Sequence, residues 1–345
     1  MLAAIAKELE NRKNYLNGET IDTVYIGGGT PSILTKEELE LLLNVVSGNF
    51  NLNSKAEITL EANPDDLTKQ KLKELSSLAI NRLSIGVQSF NNEDLIWMNR
   101  AHNSTQVDDC LENAQQAGFS NISIDLIYGL PKLSILEWEN NLSKAIEKKI
   151  QHISAYCLTV EPKTALSKLV KLGNVIAPPD AEIVDQFERM QNMLSSNGFE
   201  QYEVSSFCKP NSESRHNSNY WTGEKYLGVG PSAHSYNGES RQWNLSNNGG
   251  YIKKINANQP SFEIEKIENK TAYNEYILTR LRTKWGIDIK YIVTKFHLNI
   301  TESFKKELDH YLLLNYIKTE NEVILLTQKG MMMADRIASD LFLVD

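Results

Sequence analysis

The chain has 345 residues, 41% of them hydrophobic and 23% charged, and a formal net charge of -8. That length can bury a large core and suits one large domain with one or two smaller ones. The acidic balance argues against a general nucleic-acid binder, which needs a concentrated basic face. No apolar run is long enough to cross a bilayer and the N-terminus lacks a signal peptide's apolar region, so a cytoplasmic location is expected. Cys110, Cys157 and Cys208 are far apart in sequence and read as buried thiols rather than a metal-binding set.

In chain order, Leu2, Ile5, Ala6 and Leu9 recur at helical spacing, so the chain opens in a helix with no strand before it. The stretch Val24-Tyr-Ile-Gly-Gly-Gly-Thr-Pro-Ser32 then reads as a strand, a backbone cradle and a helix, the last opened by a Thr35/Glu38 capping box. From Thr23 to Glu161 one unit repeats: a short β-branched strand, a turn, a helical pattern. Strands are expected at Val24 to Ile26, Glu57 to Ala62, Arg82 to Ser89, Asn121 to Ile127 and His152 to Val160. Helices are expected at Lys36 to Val46, Lys69 to Leu78, Thr105 to Ala117 and Ser134 to Lys148, the last opened by a Ser134/Glu137 box. Such alternation implies a parallel sheet with right-handed crossovers, here read as a barrel.

Period-2 patterning says what the barrel would hold. Ile58, Leu60, Ala62, Leu83, Ile85, Val87, Ile122, Ile124 and Leu126 fall on faces that meet helices. The opposite faces carry Glu57, Thr59, Glu61, Ser84, Gly86, Gln88, Ser123 and Asp125. An interior lined by small and polar groups is either wet or filled by a polar ligand, because unpartnered buried carboxylates cost several kcal/mol. Glu61, Gln88 and Asp125 lie at or near strand carboxyl ends, where barrel active sites gather, and Arg100 is placed to join them.

Beyond Pro178-Pro179 a helix from Asp180 to Asn197 leads to a strand-like Tyr202 to Phe207. An irregular polar segment follows to about Tyr251, rich in Tyr, Trp, His and Gly, and reads as a binding loop. From about Thr271 the order is helix, short helix, a helix at Glu302 to Tyr316, a wing at Ile317 to Lys318 and Val323 to Leu326, and a helix at Lys329 to Phe342. That order is winged-helix-like. The helix that would enter DNA mixes Lys305 and Lys306 with Glu302, Glu307 and Asp309, so a packing role is expected and no nucleic-acid partner. The expected division is 1–178, barrel; 179–268, barrel extension and binding loop; 269–345, C-terminal domain.

Gly27-Gly-Gly-Thr-Pro31, Glu61-Ala-Asn-Pro64, Leu83-Ser-Ile-Gly-Val-Gln-Ser-Phe90, Asn99-Arg-Ala-His102, Ile124-Asp-Leu-Ile-Tyr-Gly-Leu-Pro131 and Gly228-Val-Gly-Pro-Ser-Ala-His234 together resemble the HemN/HemW branch of the radical SAM superfamily. The likeness covers nearly the whole chain. It implies an α/β fold, a partial (β/α) barrel lacking its first strand, followed by a HemN-type C-terminal domain with a winged-helix-like α+β end. It also implies S-adenosylmethionine contacts at Gly28, Gly29, Thr30, Glu61, Gln88, Arg100 and Asp125. His216-Asn-Ser-Asn-Tyr220 matches the HNxxY motif that the branch's heme chaperones carry, which implies heme at His216, Asn217 and Tyr220. The function implied is a heme chaperone that passes heme to an acceptor at the inner face of the cytoplasmic membrane, with a homodimer allowed. The alternative is the branch's oxygen-independent coproporphyrinogen III oxidase.

One departure stands out. The superfamily holds a 4Fe-4S cluster on a CxxxCxxC loop after the first barrel strand, and this sequence has no such loop. A truncated or late-starting chain, short by on the order of 30 residues, is the expected reason, with a real cluster-free form as the alternative.

Overall fold

A computed structural model describes residues 1–297 and 302–343. The first part runs α1 (Leu2–Asn11), β1 (Ile21–Ile26), α2 (Lys36–Asn49), β2 (Leu52–Ala62), α3 (Lys69–Leu75), β3 (Arg82–Gln88), α4 (Asn92–Trp97), α5 (Ser104–Gln116), β4 (Ile122–Tyr128), α6 (Ile135–Glu147) and β5 (His152–Cys157). Next come α7 (Ala165–Lys171), α8 (Asp180–Ser196), β6 (Glu200–Glu203), β7 (Ser206–Cys208), α9 (Arg215–Thr222), β8 (His234–Tyr236), β9 (Ser240–Asn244), α10 (Asn248–Asn256) and β10 (Phe262–Lys266). The last part is α11 (Asn269–Leu281), β11 (Ile287–Asp288), α12 (Ile289–Phe296), α13 (Glu302–Leu313), β12 (Ile317–Glu320), β13 (Val323–Leu326) and α14 (Ala334–Asp340).

Seven strands form one sheet in the order β1-β2-β3-β4-β5-β7-β6. The pairs from β2 to β5 are parallel, and the β6/β7 hairpin adds antiparallel to β5. Parallel neighbours need crossovers, which the intervening helices supply. This is the expected partial (β/α) barrel. Both capping boxes read from the sequence are present. Glu38 N–H donates to Thr35 Oγ1 (3.2 Å), Glu137 N–H donates to Ser134 Oγ (3.3 Å), and each glutamate reaches back to its cap's N–H.

The chain divides into two compact units. One comprises Tyr25–Ile33 and Ile58–Ser214; the other comprises Met1–Val24, Leu34–Glu57 and Arg215–Asp345.

In the unit built on Ile58–Ser214 the period-2 reading holds. Leu60, Leu83, Ile85, Val87, Ile124 and Leu126 are wholly buried, while Glu61, Ser84, Gly86, Gln88 and Asp125 keep some exposure. The helix-side layer includes Trp138 of α6 and Phe187 of α8, both beside Tyr128, with Trp138 Nε1 donating to Gln186 O at 2.9 Å. A buried polar row fastens the sheet to its hairpin. Ser123 Oγ lies 2.7 Å from His152 Nδ1, and His152 Nε2 lies 2.7 Å from the Tyr202 hydroxyl. Burial, reinforced by the Arg82 cation, holds the His152 pKa well below its ordinary value. Its ring therefore stays neutral and both nitrogens find partners.

In the other unit the helix read from the spacing of Leu2, Ile5, Ala6 and Leu9 is α1. Leu9 is buried and Ile5 packs on the core, and the helix also buries Ala4 and Glu8, which that spacing does not mark. A charge on the buried face is tolerated because Glu8 is fully partnered. It accepts from Gly230 N–H (2.9 Å), Asn244 Nδ2 (2.8 Å) and the Tyr251 hydroxyl (2.6 Å), and pairs with Arg12 at 3.3 Å. Around it Ala4, Tyr251 and Ile255 pack with Ile5 and Ile252. Strands β11, β13 and β12 form the wing sheet, and α11 packs on α14.

Several element readings are corrected. The strand expected to reach Val160 ends at Cys157, and Tyr202 to Phe207 is a hairpin of two strands. The segment read as irregular up to Tyr251 contains α9, β8, β9 and the start of α10. Helix α9 has no buried residue, so no apolar stripe marks it in the sequence. The final helix is a tight 3-10 stretch, Lys329–Met333, followed by α14.

Removing the Glu8 carboxylate takes the acceptor from the Gly230 N–H and the Tyr251 hydroxyl, one of two acceptors from Asn244 Nδ2, and the ion-pair partner from Arg12. Glu8→Ala should cost about 3–5 kcal/mol and lower the denaturation midpoint measured in guanidinium; an unchanged midpoint would show that the network carries no stability.

Candidate functional site

The first candidate site lies at the carboxyl ends of the parallel strands. β1 ends at Ile26 and the chain turns through Gly27, Gly28 and Gly29 to Thr30 and a 3-10 turn, Pro31–Ile33. Gly28 and Gly29 have φ of 79° and 66°, backbone that favours glycine. Gly27 is required for a different reason: a Cβ there would lie 2.7 Å from the Tyr25 ring and 2.9 Å from the Glu61 carboxyl. Glu61 holds this turn. Its Oε2 accepts the Gly28 N–H at 3.0 Å and its Oε1 accepts the Tyr25 hydroxyl at 2.8 Å. Ser32 Oγ donates to Asp66 Oδ2 at 2.6 Å and fastens the far side of the turn.

Gln88 closes β3 after a register shift against β4, and its φ of 66° is unusual for a residue with a side chain. Gln88 and Arg100 face Gly86. A Cβ at Gly86 would stand 3.0 Å from Gln88 Nε2 and 3.5 Å from Arg100 Nη2, so a larger residue would crowd both. Arg100 Nη2 donates to Asn63 Oδ1 at 2.8 Å, whereas its buried Nε finds no partner. Asp125 pairs in register with Ser154 and lies in the field of Glu61. Burial, then the Glu61 charge, pushes its pKa up to about 7.

The structure thus gathers Gly28, Gly29, Thr30, Glu61, Gln88, Arg100 and Asp125 in one unit, with Glu61 bonded to the glycine turn and Gln88 and Arg100 around Gly86. Two acids and a guanidinium with an unused N–H suit a small ligand carrying both signs of charge. Sequence reasoning missed Tyr25 and Asn63. Tyr25 is on the same strand as the glycine turn, and the period of two could have found it; the Asn63 contact depends on a strand-end geometry that no local pattern marks.

The second candidate site is in the other unit. His216, Asn217 and Tyr220 sit on α9, whose first turn is tied down at several points. Arg215 pairs with Asp22 (3.5 Å) and donates to Lys55 O (2.9 Å), and the His216 N–H donates to Glu57 Oε1 at 3.0 Å. His216 Nδ1 lies 2.9 Å from Thr23 Oγ1, and Nε2 lies 3.1 Å from the Tyr220 hydroxyl. The two rings meet edge-on at 5.2 Å, and Tyr220 meets Tyr226 edge-on at 4.8 Å. Partial desolvation lowers the His216 pKa to about 4 and pushes that of Tyr220 up to about 12, so at neutral pH an uncharged imidazole faces an uncharged phenol. Local sequence does not reveal Thr23 and Glu57 as partners of His216, because α9 has no buried stripe to mark it as a helix.

The sequence matches the model of the radical SAM superfamily over residues 2–145 and that of the HemN C-terminal domain over residues 267–333. Its fold is that of coproporphyrinogen III oxidase (HemN) from Escherichia coli. The TM-score is 0.84 over 99% of this chain and 82% of that one, at 23% identity. Sheet, glycine turn and C-terminal module together define a radical SAM protein with a HemN-type end. The chain is 33% identical to the heme chaperone HemW of Lactococcus lactis over 327 residues, 95% of this chain and 86% of the relative. It is 32% identical to that of Bacillus subtilis over 338 residues, 97% of this chain and 89% of the relative. The chain belongs to the HemW family.

Membership of the superfamily implies S-adenosylmethionine and a 4Fe-4S cluster. For the cluster this chain's cysteines do not fit. Cys110 and Cys208 are buried in α5 and β7, and Cys157 ends β5. Burial pushes the Cys110 thiol up to about 12, whereas an iron-sulfur cluster needs thiolates. Among the described residues no group of three His, Cys, Asp or Glu could hold a metal ion.

Asp125 has a folded-state pKa above its unfolded one, so the native chain takes up its proton first as pH falls from about 7 towards 4 and gains stability through that window. Above pH 7 the charge works against folding. Asp125→Asn should therefore melt a few degrees higher than the parent at pH 8, with the gap closing by about pH 4; a gap independent of pH would contradict a raised Asp125.

Proposed function

We propose that the chain is a heme-binding chaperone of the HemW type that hands heme to an acceptor at the cytoplasmic membrane. His216 is its iron ligand, with Asn217 and Tyr220 completing the site. The observation that carries this reading is the uncharged, anchored imidazole of His216, held at neutral pH with Nε2 towards a partly exposed phenol. Neutral imidazole is the common protein ligand of heme iron, and its second nitrogen is typically held by a fixed partner. The similarity to proteins named heme chaperone HemW supports heme as the molecule bound.

S-adenosylmethionine would be received by Gly28, Gly29, Thr30, Glu61, Gln88, Arg100 and Asp125. Arg100 suits the methionine carboxylate and the acids suit the cationic amino and sulfonium groups. When bound beside a cluster, this cofactor supplies a carbon-centred radical. Cys110, Cys157 and Cys208 form no thiolate set for such a cluster, and the role proposed for the residues named above is binding and orientation of the cofactor. Similarity to relatives named heme chaperone HemW favours the chaperone reading over oxidative decarboxylation of coproporphyrinogen. No helix among the described residues is long and apolar enough to cross a membrane, so delivery would take place from the membrane surface.

Heme titration followed in the Soret region should saturate near one heme per chain, with His216→Ala losing the shift. A His216→Ala chain that binds as the parent does would remove this residue as the ligand.

A further inference from the structure

The reading of His216 as iron ligand leaves open which of its nitrogens is presented and what keeps it so. A neutral imidazole has one N–H and one lone pair, and only the nitrogen with the lone pair can bind iron. Both nitrogens are engaged here: Nδ1 by Thr23 Oγ1 at 2.9 Å, Nε2 by the Tyr220 hydroxyl at 3.1 Å. Two arrangements satisfy both contacts. Either Nδ1–H donates to Thr23 and Tyr220 O–H donates to Nε2, or Thr23 O–H donates to Nδ1 and Nε2–H donates to Tyr220.

A phenol is a far stronger acid than an aliphatic alcohol, and so the better donor to an imidazole lone pair. The first arrangement is therefore favoured. Access agrees with it. Thr23 lies on β1 and its oxygen is also approached by Asn219 Nδ2 at 3.5 Å, whereas Tyr220 is 44% exposed. Iron arriving from solvent meets Nε2, after moving one hydroxyl. The backbone anchor from His216 N–H to Glu57 at 3.0 Å keeps the ring's base fixed while that happens.

We propose that Thr23 is a positioning residue that fixes the His216 tautomer with its proton on Nδ1, and that the Tyr220 hydroxyl masks Nε2 until heme displaces it. No bond to iron is assigned to Thr23. This rests on His216 being the ligand, and the experiment separates the two ideas.

The full chain would be titrated with hemin as parent, Thr23→Val, Thr23→Ser, Tyr220→Phe and His216→Ala, reading the Soret band and the electron paramagnetic resonance signature of histidine ligation. Thr23→Val should bind about 10–100-fold more weakly, the usual effect of losing the partner of a ligating histidine. Thr23→Ser should restore the parent's affinity and signature, and Tyr220→Phe should associate several-fold faster. Thr23→Val binding with the parent's affinity and spectrum would overturn the proposal while leaving His216 as ligand. His216→Ala binding normally would overturn both. Nitrogen NMR of the parent, using the resonances lost in His216→Ala, decides the tautomer without relying on a Thr23 variant: a proton on Nδ1 is expected, and a proton on Nε2 would refute it.

Discussion

A carboxylate taken wholly or partly out of water needs donors, and three glutamates in this chain impose that constraint on the segments that matter. Glu8 takes the Gly230 N–H, Glu57 takes the His216 N–H, and Glu61 takes the Gly28 N–H. In each case a charged acceptor in a strand or helix captures a backbone amide of a turn or helix start that carries a sequence motif. Hydrogen bonds to charged groups are worth roughly 1.5–3 kcal/mol each, about twice a neutral one. An exposed glycine turn and a helix without a buried face would not hold one conformation on their own. The glutamates give both a fixed register.

The alternation in the strands shows why this works on a parallel sheet. One face of β2, β3 and β4 is sealed by wholly buried Leu60, Leu83, Ile85, Val87, Ile124 and Leu126, leaving the opposite face for polar groups. On that face the acids are not equivalent. Glu61 is bonded to an N–H and a phenol, whereas Asp125 has Ser154 and the adverse field of Glu61 and is driven towards its protonated form. An acid driven towards its protonated form in the field of Glu61 gives that face an adjustable charge.

Much of this was legible in the sequence because it rests on local periods. The strand order, both capping boxes, the wing and the inward polar set Glu61, Gln88 and Asp125 follow from patterns of two or three residues. What was hidden depends on contacts distant in the chain. Glu8 reads as a surface charge until Gly230, Asn244 and Tyr251 surround it. Helix α9 lacks an apolar stripe and is held by Asp22, Thr23, Lys55 and Glu57, all more than 150 residues earlier, so its motif was read in a loop. The cysteines were legible too: their spacing reads as separate thiols, and Cys110 and Cys208 are buried in α5 and β7.

The central claim is that heme iron is held by the imidazole that α9 presents. A crystal structure of the full chain grown with heme tests it most directly. The account predicts iron bonded to His216 Nε2, with the Tyr220 hydroxyl moved off that nitrogen and Thr23 Oγ1 still on Nδ1. Heme seated elsewhere, with the contacts of His216 to Thr23 and Tyr220 intact, would contradict it.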